Sequence, residues 1–173
     1  MNIDKFTAAS RSVLSTAQMI AAKNNHQQIL PLHFLEALLA DENNIITNLI
    51  NMVEGDIQNI SVRCENELSR IPSVEVSGGG QVSMSSEGLK LLEKSLSLAK
   101  SNKDSFVTIE RIFEALTQDK TQAGKILKEN AIDSKKISAA ILSMRKGRRA
   151  DTESAEEGYD ALLKYGRDVT ELA

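Results

Sequence analysis

The sequence predicts an all-α domain with no sheet, built as two duplicated four-helix units, eight helices in all, related by a pseudo-twofold axis. Three observations carry this. The stretch 29–39, I-L-P-L-H-F-L-E-A-L-L, returns 78 positions later as V-T-I-E-R-I-F-E-A-L-T at 107–117. The register holds without a gap from Phe6–Asp41 onto Met84–Asp119, with Leu14, Ala21, Asn24, Glu36, Ala37, Leu38 and Asp41 meeting identical residues. Within it, Pro31, Phe34, Leu35 and Leu38 fall opposite Ile109, Ile112, Phe113 and Leu116, the i, i+3, i+4, i+7 spacing of one buried helical face. A repeat fixes topology, and two copies can close on each other.

The elements follow in order. A first helix is expected over about 4–25, capped by Asp4, with Phe6, Ala9, Val13, Ala17, Ile20 and Ala21 inward. Pro31 suits the first turn of a second helix, where a missing N–H costs nothing. Asn44 is placed to cap a short third helix through Ile45, Ile46, Leu49 and Ile50. Gly55-Asp56 restarts the chain, and Ile57, Ile60, Cys64, Leu68 and Ile71 form a stripe that stops at Pro72. The first repeat is therefore about 1–71. A connection over 72–84 holds Gly78, Gly79 and Gly80, too free in backbone for a helix. The second repeat, about 85–144, begins with Ser85 as cap and Leu89, Leu92, Leu96 and Ala99 inward. Thr108, Thr121 and Asp133 open its remaining helices, the last carrying Ile137, Ala140, Ile141 and Met144.

After Met144 the composition turns to R-K-G-R-R-A-D-T-E-S-A-E-E-G, with nothing larger than Ala to bury, so 145–158 reads as a flexible, solvated linker. Residues 159–173 resume with apolar positions but too few to make a core, as the truncated start of a following domain would.

Composition narrows the function. Of 173 residues, 41% are hydrophobic but only 3% aromatic, so Leu, Ile, Val, Ala and Met must fill the core. A net charge of −3 with both signs interspersed gives no cationic field for nucleic acid. No stretch reaches the roughly 20 apolar residues of a membrane span, and the polar N-terminus lacks a secretory pattern. The lone Cys64 cannot form an internal disulfide, and a cytoplasmic setting is expected. Neither Gly78–Gly80 nor Gly124-Lys125 has the spacing of a phosphate-binding loop, so no catalytic, cofactor or metal residue is assigned. His33 and Glu36 form an H-x-x-E pair without further ligands. Glu36 and Glu114, related by the repeat, are expected to serve one structural purpose twice. Cys64, on an apolar stripe, reads as a packed thiol, and Arg145, Lys146, Arg148 and Arg149 as part of a soluble tether.

These residues resemble the N-terminal domains of the ClpB disaggregases, within the Clp family of ATP-driven protein-remodelling machines. The likeness rests on D-K-F-T at 4–7, the 29–39 motif, S-S-E-G-L at 85–89, D-S-F-V at 104–107 and Y-D-A-L-L-K-Y-G-R-D-V-T-E-L-A at 159–173. The resemblance implies a non-enzymatic module that captures unfolded or aggregated polypeptide for a hexameric ATPase ring in a stress-response chaperone. It implies ATP and Mg for the whole protein only, and the DnaK chaperone system as a partner of other domains. The isolated chain is expected to be monomeric. Carried over from the family, Thr7, Asp104 and Glu110 handle substrate, while Leu92, Leu96 and Leu98 help to wall an apolar groove. Lys94 and Arg111 depart from the family's more apolar pattern there. An adaptor-docking domain, as in ClpA and ClpC, is the alternative. If Thr7 and Asp104 serve only binding, replacing both by Ala weakens client binding and leaves thermal stability almost unchanged.

Overall fold

The computed structural model describes residues 2–74, 82–157 and 159. A single 3-10 turn, Ile3–Lys5, precedes α1 (Ala8–Lys23), α2 (Pro31–Leu39), α3 (Ile45–Met52) and α4 (Ile57–Ser69). The second unit repeats the set as α5 (Ser86–Ser101), α6 (Ile109–Thr117), α7 (Gln122–Glu129) and α8 (Ser134–Arg145). The all-α class holds, with one addition. A two-residue parallel ladder joins β1 (Gln28–Ile29) to β2 (Ser83–Met84). Strands this short leave no period-two pattern in a sequence.

That ladder explains how the halves close. Ile29 pairs with Met84, and an isolated bridge pairs Phe6 with Val107. Phe6 and Met84 are 78 positions apart, as are Ile29 and Val107, so each unit lends the residue before its first helix to the residue before the other's second helix. Such reciprocal exchange is what a pseudo-twofold axis produces. The backbone repeats it too: Thr7 N–H donates to the Val107 carbonyl at 3.0 Å, and Ser85 N–H to the Ile29 carbonyl at 3.1 Å.

The exchange also moves the first helix start. Phe6 is fully buried with extended backbone, so the chain cannot be helical from Asp4. Thr7 is the cap instead, its hydroxyl accepting from Ser10 N–H at 3.1 Å. Ser85 caps α5 through its side chain as expected, and Asp56, at the expected restart, caps α4 in the same way. Asn44 does not, because it sits in the left-handed region (φ 59°), and Asp41 accepts from Ile45 N–H in its place.

The core is one contiguous cluster centred where α2 packs on α6. Phe34, Leu35 and Leu38 on one side and Ile112, Phe113 and Leu116 on the other are fully buried. On α5 the inward face is Leu91, Leu92, Ser95 and Ala99, while Leu89, expected inside, is exposed. At Gly88 that helix approaches the partner unit so closely that a Cβ would lie 2.9 Å from the Ile29 carbonyl and 2.7 Å from Met84 Sδ.

The largest departure follows α8. Composition predicts a solvated linker over 145–158, yet part of it packs back onto the domain. Arg145, Ala150, Glu156 and Tyr159 are buried, whereas Lys146, Arg148 and Arg149 are exposed. The Ala150 carbonyl accepts from Ser105 N–H at 3.0 Å and Phe106 N–H at 3.1 Å, and the Glu153 carbonyl from Ala8 N–H at 2.9 Å. Backbone bonds, one methyl group, the ion pairs of Arg145 and the carboxyl groups of Glu153 and Glu156 hold this segment, so hydropathy cannot register it. The three glycines at 78–80 and the tail from 160 lie outside the described residues. Among the described residues, no helix is long and apolar enough to cross a membrane.

Candidate functional site

The start of α6 gathers most of the buried charge in the molecule. A helix begins with backbone N–H groups that have no partner inside it and a partial positive charge. Thr108, the residue before α6, does not cap it, since its hydroxyl accepts from Arg145 Nη2 at 2.9 Å. The first N–H, on Ile109, is taken instead by Glu156 Oε2 at 3.1 Å, a carboxyl group 47 residues away. The same oxygen receives the Thr7 hydroxyl at 2.5 Å.

Around this cradle stands an ionic network. Arg145, ending α8, donates to Asp104 at 2.8 and 3.0 Å and to Glu110 Oε2 at 2.9 Å, and its guanidinium lies over the Tyr159 ring at 5.4 Å. Arg111 donates to Asp104 at 3.0 Å and to Glu114 at 2.9 Å. The Ala150 N–H also reaches Asp104, at 3.1 Å. Burial works against the Asp104 charge, but Arg145, the Ala150 N–H and Arg111 outweigh it and hold the carboxyl below its ordinary pKa. Arg145 likewise resists burial through Glu110 and Asp104, and its pKa is raised. Glu156 has no such cation. Burial first and then the Glu110 charge push its pKa up to about 7, against the Thr7 and Ile109 hydrogen bonds. Burial and Glu110 also raise the Tyr159 phenol, whose hydroxyl has no hydrogen-bond partner, as is true of Glu110 Oε1 and Glu156 Oε1.

Thr7, far in the chain from Asp104 and Glu110, thus meets them in one cluster, with both carboxylate side chains and Thr7 fully buried. Asp104 alone reaches an opening. It borders a groove of about 750 Å³ with Leu96, Phe106 and Val107 as apolar lining and Lys5, Lys100 and Lys103 on it. Of the predicted apolar wall, Leu96 lines this groove, Leu92 belongs to the core, and Leu98 packs half-buried against the core. Lys94 borders a different hollow, with Leu91 and Lys120, and Arg111 is closed off by its two acids. Arg145, Thr108, Glu156 and Tyr159 escaped the sequence reading, because nothing in their local pattern distinguishes them from capping or tether residues. The cluster also reverses the expectation that Thr7→Ala with Asp104→Ala spares stability. Removing Asp104 strips two buried arginines of a partner, which costs about 3–5 kcal/mol in comparable pairs.

The other candidates resolve as packing. His26 Nδ1 lies 2.9 Å from His33 Nε2, and His33 Nδ1 accepts from Leu30 N–H at 2.8 Å. His33 therefore carries its proton on Nε2 and donates to His26. Burial, then the neighbouring His26, lowers the His33 pKa to about 4. Glu36 and Glu114 do not share one purpose: Glu114 pairs with Arg111, whereas burial raises the Glu36 pKa despite a bond from Cys64. Burial, then Glu36, raises the Cys64 thiol, which leaves no thiolate at neutral pH. Gly124-Lys125 sits within α7, where a Cβ on Gly124 would meet the Asp119 backbone at 1.8 Å, so no open phosphate loop exists there.

A family model described as the Clp repeat (R) N-terminal domain matches residues 5–130. The chaperone protein ClpB of Rickettsia conorii is 63% identical over 173 residues, all of this chain and 20% of the relative. The chain thus spans about a fifth of the length of the curated relatives it matches. Among solved structures, the Hsp104 N-terminal domain from Candida albicans matches with a TM-score of 0.77 at 24% identity, covering 87% of this chain and 98% of that one. A ClpV N-domain solved in complex with a VipB peptide matches with a TM-score of 0.66 at 15% identity, covering 87% and 92%.

Proposed function

Because the chain belongs to the Clp repeat N-terminal domain family and aligns over its whole length with the N-terminal region of ClpB chaperones, we propose that it is a polypeptide-binding module. It would capture unfolded or aggregated chains for a hexameric ATPase ring. ATP and Mg would be handled by that ring, in parts of the protein beyond this chain, and the setting would be cytoplasmic.

One observation carries the reading: the groove floored by Leu96, Phe106 and Val107 ends at Asp104, the residue that ties it to the Thr7–Glu110 cluster. Apolar side chains exposed by a misfolded client gain from leaving water even in a shallow site. Lys5, Lys100 and Lys103 add a preference for clients with acidic residues beside the apolar ones. Weak contact suits release, and several copies around a ring would turn it into avidity.

The test is binding of fluorescently labelled, reduced and carboxymethylated α-lactalbumin, a permanently unfolded protein, by anisotropy. Leu96→Asp weakens binding about tenfold or more, and Lys100→Glu with Lys103→Glu, both exposed in the native chain, weakens it severalfold with thermal stability unchanged. Unaltered binding in both variants would remove the groove from the reading. A second reading, docking of one dedicated partner, takes support from the ClpV N-domain's complex with a VipB peptide. Tight one-to-one association with a folded adaptor, and none with the unfolded protein, would favour it.

A further inference from the structure

Glu156 has no equivalent in either repeat: it arrives from beyond α8 and accepts from Ile109, the first N–H of α6, which α6 itself leaves open. Three features mark it as an occupant and not a fixed part. It brings a third carboxyl group beside Glu110 and Asp104, with Arg145 already committed to both. Its Oε1 is buried with no partner, as is the Tyr159 hydroxyl three residues on, so the fit is incomplete. The segment that carries it, 150–157, is held mainly through backbone bonds at Ala150 and Glu153 and one surface ion pair, Arg11 to Glu153 at 3.3 Å, and presents exposed side chains at Asp151, Thr152 and Ser154.

We propose that residues 150–157 form an internal latch, whose Glu156 carboxyl group fills the Thr7–Ile109 cradle and must withdraw before a client's carboxyl or carbonyl group can use it. This rests on the binding role proposed for the cluster. The occupant chemistry follows from the cradle, which offers one hydroxyl and one backbone N–H at a helix start and so suits an oxygen acceptor. Latching also buries the Ser105 and Phe106 N–H groups that border the groove, so closing the cradle ties down the groove's edge.

The latch responds to protons. Facing Glu156 are Glu110 on α6, the Thr7 hydroxyl before α1 and Tyr159 from beyond α8, while the cluster's Arg145 is spent on Glu110 and Asp104. With the docked carboxyl at about 7 and its free value at 4.5, docking is strongest below pH 4.5. It weakens as pH rises from there to about 7, because only the released form ionises in that window.

Amide hydrogen exchange on the whole 173-residue chain, followed at Ala8, Ser105, Phe106 and Ile109, reads the latch without any client. Glu156→Ala should speed exchange at these four amides about tenfold or more, leave core amides of α2 unchanged, and tighten binding of carboxymethylated α-lactalbumin severalfold. Glu156→Gln, which keeps an acceptor and cannot ionise, should stay docked and lose the change between pH 5 and 7.5. Unchanged exchange in Glu156→Ala overturns the latch itself. Faster exchange with unchanged or weaker client binding overturns the occlusion while leaving the groove reading intact. Faster exchange with no client binding by any form, native chain included, overturns the binding reading and the occlusion with it.

Discussion

In the first half His26 meets His33 at 2.9 Å where, 78 positions on, the second half sets Asp104 against Arg111 at 3.0 Å. Leu30, Pro31 and Leu32 occupy the places of Thr108, Ile109 and Glu110. At the crossed junctions, Ser85 Oγ donates to the Ile29 carbonyl at 2.6 Å, while the Val107 carbonyl is served by Ser10 Oγ at 2.8 Å. Ser10 stands where the other unit has Gly88, and by taking the carbonyl it leaves the Thr7 hydroxyl for Glu156. One scaffold thus carries two fillings: a neutral, self-satisfied one, and a charged one with a donor left over. Buried ion pairs seldom outdo apolar packing of similar volume. The neutral half shows that the fold itself does not require the charges, which directs attention to the half that keeps them.

Three experiments press on that contrast, the most damaging first. Arg145→Met leaves Asp104 and Glu110 buried without their shared cation, and urea unfolding should show a loss of about 3–5 kcal/mol. A loss below about 1 kcal/mol would mean that the charged half relaxes as easily as the neutral one, and the contrast would fail.

Acid should next separate the halves by sign. His33 titrates near 6.5 when unfolded and at about 4 when folded, so its stabilising contribution is complete above pH 6.5 and is lost as pH falls from there towards 4. The loss is roughly 2–4 kcal/mol, measurable by unfolding at pH 7.5 and 4.5, and His33→Gln should shrink it. Over the overlapping window Glu156 docking changes in the opposite direction, strengthening as pH falls. Exchange at β1 and at Ser105 should therefore diverge on acidification.

The gentlest test imposes the first half's chemistry on the second. Ile109→Pro puts proline where Pro31 already sits in the other unit, at a first helical position whose N–H makes no bond within the helix. Global stability should fall by about 1–3 kcal/mol, the cost of the cavity left where the buried Ile109 side chain stood. Yet exchange at Ser105 and Phe106 should rise, because Glu156 loses its backbone donor.

Much of the fold was legible because its signals are local or repeat at a fixed distance. Pro31 at a first turn, Ser85 as a cap, the restart at Gly55-Asp56, and the stripe of Phe34, Leu35 and Leu38 with its copy at Ile112, Phe113 and Leu116 each follow from neighbours within a turn or two. Thr7, Asp104 and Glu110 entered through the family's likeness, and the sequence held no sign that they touch one network. Asp4 was misread as a cap because its rejection depends on Phe6 pairing with Val107, a hundred residues away.

The amino-acid order by itself determined a duplicated helical domain with an aliphatic core, since periodicity and repetition are properties of the chain. Only the tertiary structure decided which polar groups are buried and with whom. Arg145 and Glu156 carry the composition of a tether, and their burial depends on partners at Asp104, Glu110, Thr7 and Ile109. A charge is stable inside a protein only beside its counterpart, and that counterpart is a matter of place in the fold and not of position in the sequence.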